Sequence, residues 1–535
     1  MAKRPRSGDD RESRVVALDA WLRKRGARLD GLAIRETGPT DLGVFATRAF
    51  KPGDAIGFLP RNAILDPIEV LENDATAKRA VELGATPPFA FWLSLACGLK
   101  DEKHPFHPYL SSLPPEAPDP CAWPANARAL LLGTPLATQV EKQRRVLRAE
   151  YDKIAKAAAP PNTSPPTFEE ILWARGCHQS RCFPRALVEA SSLDAPHEIL
   201  ASDIIDQDER VKDDGASLLR FEHGGELPAR VEWSASAAGG GSGAASGSNS
   251  VNGASKTAAA AASTAATSSE TTDAATVEAN GDDEEEAVAG SLGCMLPLLD
   301  MLEHRNGHPI GWEAGCGGVR FRCRSDVPIN AQLYNNYGPK GNGELLFTYG
   351  FAVFGNPLDT VEGIIVGCRH TSNARLAAAR LRFLDEQEIP YKLQASGGGA
   401  LLIGPFDLKV PPKGGGEAAA AAAEQAAEVQ EEEEEEASVL PPELLFALSI
   451  VGMEDADDGP ALSLDELDML KSTLEARLSV LEPTEAVDDA HVPPAETREA
   501  FVAAYRCGQR RVLKLALAQI EEMGGEEVEQ NHFEV

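Results

Sequence analysis

Two low-complexity segments limit how this chain of 535 residues can fold. Residues 234–291 consist mainly of Gly, Ser, Ala and Thr and end in an acidic run, and residues 412–438 combine Gly and Ala with six consecutive glutamates. The first segment has almost no large apolar side chain to offset the entropy of ordering, so it is predicted to be disordered, and the second is predicted to be an acidic linker. The folded part must come from the remaining sequence, which is long enough for about two or three domains.

The charge balance narrows the classes of partner. The formal net charge is −32, and much of it lies in runs such as 282–286 and 431–436, which are typical of solvated linkers. Such a chain would repel the phosphates of nucleic acid, whereas a basic protein remains a compatible partner. No apolar run approaches the length of a membrane span, so no membrane association is expected. The compartment stays open, with nucleus or cytoplasm favoured over plastid because Asp9, Asp10 and Glu12 are unusual in a transit peptide.

The cysteines and histidines do not predict a metal site. The nine cysteines are scattered without a Cys-x-x-Cys pair, and we interpret them as reduced thiols of an intracellular protein. His104 and His107 flank a proline, but no third ligand accompanies them. No metal is therefore expected.

Hydrophobic patterning predicts strands interrupted and followed by helices. An opening helix is expected over 12–27, short strands over 41–48 and 53–60, and helices between about 66 and 180. Residues 107–114, which contain two prolines, are interpreted as an extended connector. Later segments predict a strand, a helix and a further strand over 360–410, then helices over 441–451, 464–481 and 497–522. The apolar face predicted for the last helix comprises Phe501, Tyr505, Gly508, Val512, Leu515 and Ile520.

The stretch 332–351 has the composition of a binding site. It contains three tyrosines, three asparagines and four glycines between apolar segments. Hydroxyls, amides and close backbone approach are what such a site requires, although two turns joining a strand to a short helix would use similar residues. A functional site is favoured because the apolar run that starts at Leu296 ends nearby in Asp300, Glu303 and His304.

These two segments together resemble the C-terminal half of a SET methyltransferase domain. The resemblance is to the branch that includes the Rubisco large-subunit and ribosomal-protein lysine methyltransferases, in which an Asp-x-x-Asn-His segment and an Asn-Tyr-Gly…Asn-x-Glu-Leu…Tyr-Gly-Phe segment form the methyl-donor site. Further matches are Leu42-Gly43, Arg181-Cys-Phe-Pro-Arg185 and the Tyr505-Arg-Cys-Gly-Gln-Arg-Arg511 run.

The resemblance implies an α+β fold class, with a β-rich SET domain that carries a helical insert, followed by an all-α C-terminal domain. The implied domains are a tail and helix over 1–30, the SET domain over 31–363 and a helical substrate-binding domain over 364–535. Within the SET domain, the helical insert covers about 66–185, a variable lobe covers 186–233 and the low-complexity insert covers 234–291.

The resemblance also implies roles for individual residues and S-adenosylmethionine as the cofactor. The residues expected to contact this methyl donor are Leu42, Gly43, Arg181, Glu303 and His304. Those expected to line the substrate-lysine channel are Arg185, Asp300 and Phe351. The catalytic candidates are Tyr349, beside the transferring methyl, and Tyr337 on the same wall.

The chain departs from the family pattern at three positions. Asp41 replaces the first glycine of the donor turn, and Glu303 replaces the asparagine before His304, so it can accept a hydrogen bond but cannot donate one as an amide does. A tyrosine expected about a dozen residues beyond Tyr349 is absent, and Val361 stands near its place. The last change is expected to widen the channel or to alter the acceptor.

The function implied by the resemblance is protein-lysine N-methylation by a monomer that uses S-adenosylmethionine and a protein substrate. Protein-histidine methylation is one alternative. A catalytically degenerate SET scaffold that binds a protein partner, suggested by Glu303, is another. Donor binding separates the scaffold from both enzymes, and mapping of the modified residue separates lysine from histidine.

Overall fold

The computed structural model describes the following residues: 8–38, 42–160, 164–199, 292–305, 308–369, 371–394, 400–410, 438–457, 459–481 and 497–525. The low-complexity segment 234–291, most of the lobe 186–233 and nearly all of the linker 412–438 lie outside them. The expected α+β class is confirmed. No described helix is long and apolar enough to cross a membrane.

The strands form small sheets. In chain order they are β1 Leu32–Glu36, β2 Leu42–Ala46, β3 Ala55–Pro60, β4 Cys182–Phe183, β5 His197–Ile199, β6 Cys294–Met295, β7 Glu303–His304, β8 Ile310–Gly315, β9 Gly318–Cys323, β10 Tyr334–Asn335, β11 Thr360–Arg369, β12 Tyr391–Gln394 and β13 Ala400–Lys409. The largest sheet has the order β3-β9-β8-β5 and is antiparallel throughout. Strand β5 belongs to the expected variable lobe, so the described start of that lobe is part of the largest sheet.

The helices cover most of the remaining described chain. Their bounds are Gly8–Lys24, Pro67–Asn73, Ala75–Glu82, Pro87–Gly98, His107–Ser112, Ala125–Arg128, Pro135–Ala158, Phe168–Gln179, Ala186–Ala190, Asn342–Glu344, Ala374–Glu386, Pro442–Gly452, Leu464–Leu481 and Arg498–Gly525. The extended connector predicted over 107–114 is wrong, because His107–Ser112 is helical. Pro108 lies in the first turn of that helix, where proline does not interrupt a backbone hydrogen bond.

A first hydrophobic core joins strands β1 to β4, β6, β8 and β9 to the helical insert. Its central helix, Pro87–Gly98, is apolar on nearly every face and is almost completely buried, as expected for a helix surrounded by protein. Helix Phe168–Gln179 begins at a capping box in which Thr167 Oγ1 accepts from the Glu170 amide at 3.2 Å and Glu170 Oε2 accepts from the Thr167 amide at 2.7 Å. This helix leads directly to Arg181.

A second core lies in the C-terminal part. It contains the strands that patterning predicts over 360–410, so the all-α domain implied by the resemblance is wrong. Strands β11, β13 and β12 form an antiparallel sheet there, on which the helices Ala374–Glu386, Pro442–Gly452 and Leu464–Leu481 pack. Strand β11 crosses the boundary suggested at 363/364. Val361 is fully buried in this second core, so it is not a wall residue standing in place of a tyrosine.

The last helix, Arg498–Gly525, belongs to both cores, and we call it the bridging helix. Its first half contributes Val502, Ala504 and Tyr505 to the first core. Its second half contributes Val512, Leu513, Ala516 and Ile520 to the second core. Leu515, predicted on the buried face, is 39% exposed, because the buried stripe continues through Leu513 and Ala516 instead. One rigid element therefore couples the two parts of the protein.

Close approach at Gly508 holds the bridging helix against the segment that follows the 332–351 stretch. A Cβ at this position would overlap the carboxylate of buried Asp359. Asp359 Oδ2 also pairs with Arg511 at 3.4 Å, and its Oδ1 accepts from the Asn342 amide at 3.2 Å. Only glycine permits this contact without displacing the helix.

We therefore expect Gly508→Ala to lower the free energy of unfolding by about 1–3 kcal/mol, because the new methyl group overpacks the contact with Asp359. Urea denaturation of the full chain measures the change. Gly524→Ala on the same helix is the control, since its Cβ would meet only Leu464 Cδ2 at 3.8 Å. Equal stability of the two variants would show that Gly508 is not a tight packing point.

Candidate active site

Parallel pairing of two very short strands builds the site. Strand β7 lies beside β10, with Glu303 opposite Tyr334 and His304 opposite Asn335. Asn335 is buried, and its Oδ1 accepts from Trp312 Nε1 at 3.1 Å and from the following amide at 2.9 Å. This pairing places Glu303 and His304 against the start of the 332–351 stretch, so the two segments that carry the resemblance meet here.

An aromatic cluster forms where the two segments meet. The rings of Tyr337 and Tyr349 stack with centroids 4.7 Å apart, and His304 lies 5.0 Å from Tyr337. Phe351 completes the cluster at 5.9 Å from His304 and 6.2 Å from Tyr349. Four of the residues predicted from sequence thus form one connected cluster of rings.

Hydrogen bonds fix the orientation of this cluster. The Tyr337 amide donates to His304 Nδ1 at 3.0 Å, so in the neutral ring the proton resides on Nε2. Tyr337 Oη donates to the Leu302 carbonyl at 3.1 Å. Burial raises the pKa of Tyr337, which therefore remains a protonated donor at neutral pH.

The turn after Tyr349 rests on the helical insert. A π-helical turn over Leu345–Tyr349 ends at Gly350, whose φ of +78° is left-handed. A Cβ at Gly350 would overlap the Pro118 carbonyl, and that carbonyl also accepts from Trp123 Nε1 at 2.7 Å. Glycine is required here by backbone conformation and by space together.

Behind the cluster lies a buried polar network around Asp300. Its Oδ2 accepts from Tyr109 Oη at 2.5 Å, and Arg181 Nη1 donates to the Asp300 carbonyl at 2.9 Å while lying 3.9 Å from Oδ2. Burial raises the pKa of Asp300 to about 6, although the Arg181 guanidinium opposes the shift. Asp300 and Arg181, predicted for the channel and for the donor site respectively, thus lie in one buried network.

Tyr109 is a component of the site that sequence reasoning missed. It is fully buried and lies on the helix His107–Ser112, in the segment for which the sequence predicts an extended connector. Tyr109 itself was the available signal, because the hydroxyl of a buried tyrosine needs a polar partner. Its partner, Asp300, is distant in sequence.

The glycine at position 43 forms a narrow cradle beside the stretch. A Cβ there would lie 2.6 Å from Thr37 Cγ2 and 3.0 Å from Gln332 Nε2. Thr37 Oγ1 and Gln332 Nε2 are buried and have no hydrogen-bond partner among the described residues. The neighbouring Leu42 is buried too, and the cradle therefore offers close backbone approach with two unsatisfied polar atoms. Asp41 lies outside the described residues.

Arg185 is not brought into the aromatic cluster by its described hydrogen bonds. Its Nε donates to Asp66 Oδ1 at 3.3 Å and its Nη1 to Glu189 Oε1 at 2.9 Å. Asp66 Oδ2 also accepts a hydrogen bond from Arg61 Nη2 at 2.8 Å. Arg185 therefore participates in a charge network at the edge of the insert. Its expected role in the substrate channel stays a prediction.

Among the residues that the structure describes, no group of three His, Cys, Asp or Glu side chains could hold a metal ion.

Asp300 is expected to make stability depend on pH. Its folded pKa of about 6 exceeds the ordinary value, so its contribution to stability is present at low pH and is lost as pH rises through about 6. The wild type should therefore lose about 1 kcal/mol relative to Asp300→Asn between pH 5 and pH 7. Urea denaturation of both proteins at the two pH values measures this. A difference that does not change with pH would contradict the raised pKa.

Comparison with known proteins was made by sequence and by structure. The chain matches no established protein-family model. It is 46% identical over 70 residues to "Ribosomal lysine N-methyltransferase set10" of Schizosaccharomyces pombe, a segment that spans 12% of this chain and 13% of that protein. It is 30% identical over 158 residues to "N-lysine methyltransferase SETD6" of Rattus norvegicus, which spans 28% of this chain and 33% of that protein. The matched segments thus cover well under two thirds of either relative.

Solved structures extend the likeness to the whole fold. The structure of Rubisco LSMT bound to sinefungin and monomethyllysine aligns with a TM-score of 0.57 at 14% identity, covering 97% of this chain and 94% of the other. The structure of Rubisco LSMT bound to AdoMet aligns with a TM-score of 0.55, covering 95% and 92%. The resemblance to the Rubisco and ribosomal-protein branch of the SET methyltransferases is confirmed, and the chain has the fold of that branch.

Proposed function

We propose that this chain is a protein-lysine N-methyltransferase that uses S-adenosylmethionine. The observation that carries the proposal is the stacked Tyr337–Tyr349 pair, held by the pairing of β7 with β10 and bordered by His304 and Phe351. Support comes from the relatives, which are named as lysine methyltransferases, and from similar structures bound to AdoMet, AdoHcy, lysine or monomethyllysine. The proposed substrate is a lysine side chain of a protein, and the proposed active form is a monomer.

The residues around Gly43 fit the proposed cofactor. The missing side chain at Gly43 allows close approach to the main chain, and the unsatisfied atoms of Thr37 and Gln332 can hydrogen-bond a polar ligand. Leu42, Arg181, Glu303 and His304 are the further residues that we propose hold it. Arg181 supplies a cation suited to a carboxylate, and Glu303 an acceptor suited to an ammonium group. When bound, S-adenosylmethionine supplies a methyl group on a positively charged sulfur.

The protein must present the lysine amine without its proton. At pH 7 this costs about 4–5 kcal/mol for a free lysine, whose pKa is about 10.4. An apolar wall lowers the cost because it disfavours the charged ammonium, and Phe351 with the faces of Tyr337 and Tyr349 provides such a wall. Alignment of the two reactants contributes further, by roughly 7–11 kcal/mol for well-oriented groups.

The two tyrosines have different proposed tasks. The hydroxyl of Tyr337 is engaged with the Leu302 carbonyl, so this residue positions the ring of its neighbour. Tyr349, stacked on it and followed by the rigid Gly350 turn, is the residue that we propose contacts the reacting methyl through its hydroxyl. We propose that Asp300, with Tyr109 and Arg181, supports this wall from behind.

Tyr349→Phe tests the proposed function. We expect the wild type to transfer label from S-adenosylmethionine to a discrete protein of a cell extract, and the variant to lose about two- to fivefold in rate, because it lacks a CH···O contact worth about 0.5–1 kcal/mol. Tyr391→Phe in strand β12 is the matched control and should keep full activity. Absence of label with folded wild type that binds the donor would favour the non-catalytic scaffold. Equal activity of all three proteins would remove Tyr349 from the mechanism.

Gly43→Ala tests the proposed donor site. The added methyl group would be 2.6 Å from Thr37 Cγ2, so the cradle must open or lose the ligand, and we expect the affinity for S-adenosylmethionine to fall by about tenfold or more. Isothermal titration calorimetry measures the affinity directly. Gly367→Ala is the control, since its Cβ would meet Leu402 Cδ2 at an ordinary 3.5 Å. Undiminished affinity in a folded Gly43→Ala variant would place the donor elsewhere.

A further inference from the structure

The bridging helix reaches the aromatic cluster with one side chain, Phe501. Its ring lies 6.4 Å from that of Phe351 at an interplanar angle of 69°, an edge-to-face arrangement. Phe501 is half-buried and packs against the first core. Phe351 in turn contacts Tyr337, Tyr349 and His304. The cluster thus continues without interruption into the C-terminal part of the protein.

Anchors on both sides of Phe501 fix its position. One turn before it, Arg498 Nη2 pairs with Glu116 Oε2 at 2.9 Å, and the Arg498 guanidinium lies 5.5 Å from the centre of the Trp123 ring. One turn after it, Tyr505 is buried close to Gly343. The position of Phe501 is therefore fixed by the contacts of Arg498 and Tyr505 as well as by its own contact with Phe351.

The loop that contains Glu116 and Trp123 links this anchor to the Tyr349 turn. The same loop supplies the Pro118 carbonyl that lies against Gly350, directly after Tyr349. The start of the bridging helix and the proposed catalytic turn consequently share one support. Movement of the helix would displace Phe501 and this support together.

We propose that Phe501 forms the outer part of the lysine-channel wall, so that the C-terminal part helps to select the side chain that enters. This inference rests on the proposed function. It gives the C-terminal part a role in the lysine channel itself, in addition to the substrate-binding role that the resemblance implies. The four methylenes of a lysine side chain need apolar surface along their length, and the ring of Phe501 extends the surface of Phe351 away from the two tyrosines. The channel is then complete only when the bridging helix is in place.

Free L-lysine is a suitable probe, because it is small enough to enter a channel without using any other docking surface. Its binding is measured by calorimetry in the presence of S-adenosylhomocysteine, with the full chain and its Phe501→Ala and Phe501→Leu variants. We expect Phe501→Ala to weaken lysine binding by about tenfold and Phe501→Leu to weaken it by less, because leucine retains part of the apolar wall. Affinity for S-adenosylhomocysteine should remain within about twofold of the wild type, since the ring of Phe501 packs against Phe351, which we assign to the lysine channel and not to the donor site.

Phe446→Ala provides the matched control. Phe446 is also a half-buried phenylalanine of a C-terminal helix, but it packs against the second core. It should lose similar stability and keep lysine affinity. Unchanged lysine affinity in Phe501→Ala, or an equal loss in Phe446→Ala, would overturn the inference while leaving the proposed function intact. If the wild type binds S-adenosylhomocysteine but does not bind lysine and does not methylate protein, both the inference and the proposed function are overturned.

Discussion

The parallel pairing of β7 with β10 is the constraint on which the proposed site depends. Two residues on each strand bring His304 opposite Asn335 and so join segments that are separated by the hairpin β8–β9. Such a short ladder contributes little by itself, and burial of Asn335 with its bond from Trp312 maintains the register. From that register follow the hydrogen bond to His304 Nδ1 and the stacking of the tyrosine rings.

Charge and burial divide the surroundings of this pairing into two environments. On one side, Asp300 is held by Tyr109 and Arg181 in a buried network, which fixes the backbone leading into β7. On the other side, aromatic rings form an apolar surface that continues to Phe501 on the bridging helix. A polar support behind an apolar wall suits a reaction in which a positive methyl group meets an amine that must be neutral.

Much of the site could be predicted from sequence because its aromatic residues lie in one short motif. Tyr337, Tyr349 and Phe351 of that motif form one ring cluster with His304, which comes from the segment that starts at Leu296. Tyr109 could not be predicted in the same way, since its bond to Asp300 joins residues 191 positions apart. Tertiary structure also decided the other differences. The strands that patterning predicts over 360–410 pair into a sheet, so the all-α domain that the resemblance implies is wrong. Leu515 is exposed because the buried stripe of the bridging helix continues through Leu513 and Ala516.

The measurement that tests the central claim most directly is identification of the residue that receives a methyl group. Purified chain would be incubated with a cell extract and S-adenosylmethionine carrying a deuterated methyl, and the modified peptides would be mapped by mass spectrometry. The proposed site, with its apolar wall for a long aliphatic side chain, predicts deuterated methyl on the Nζ of a lysine in a discrete protein. Label on a histidine nitrogen, or none from folded protein that binds the donor, would contradict it.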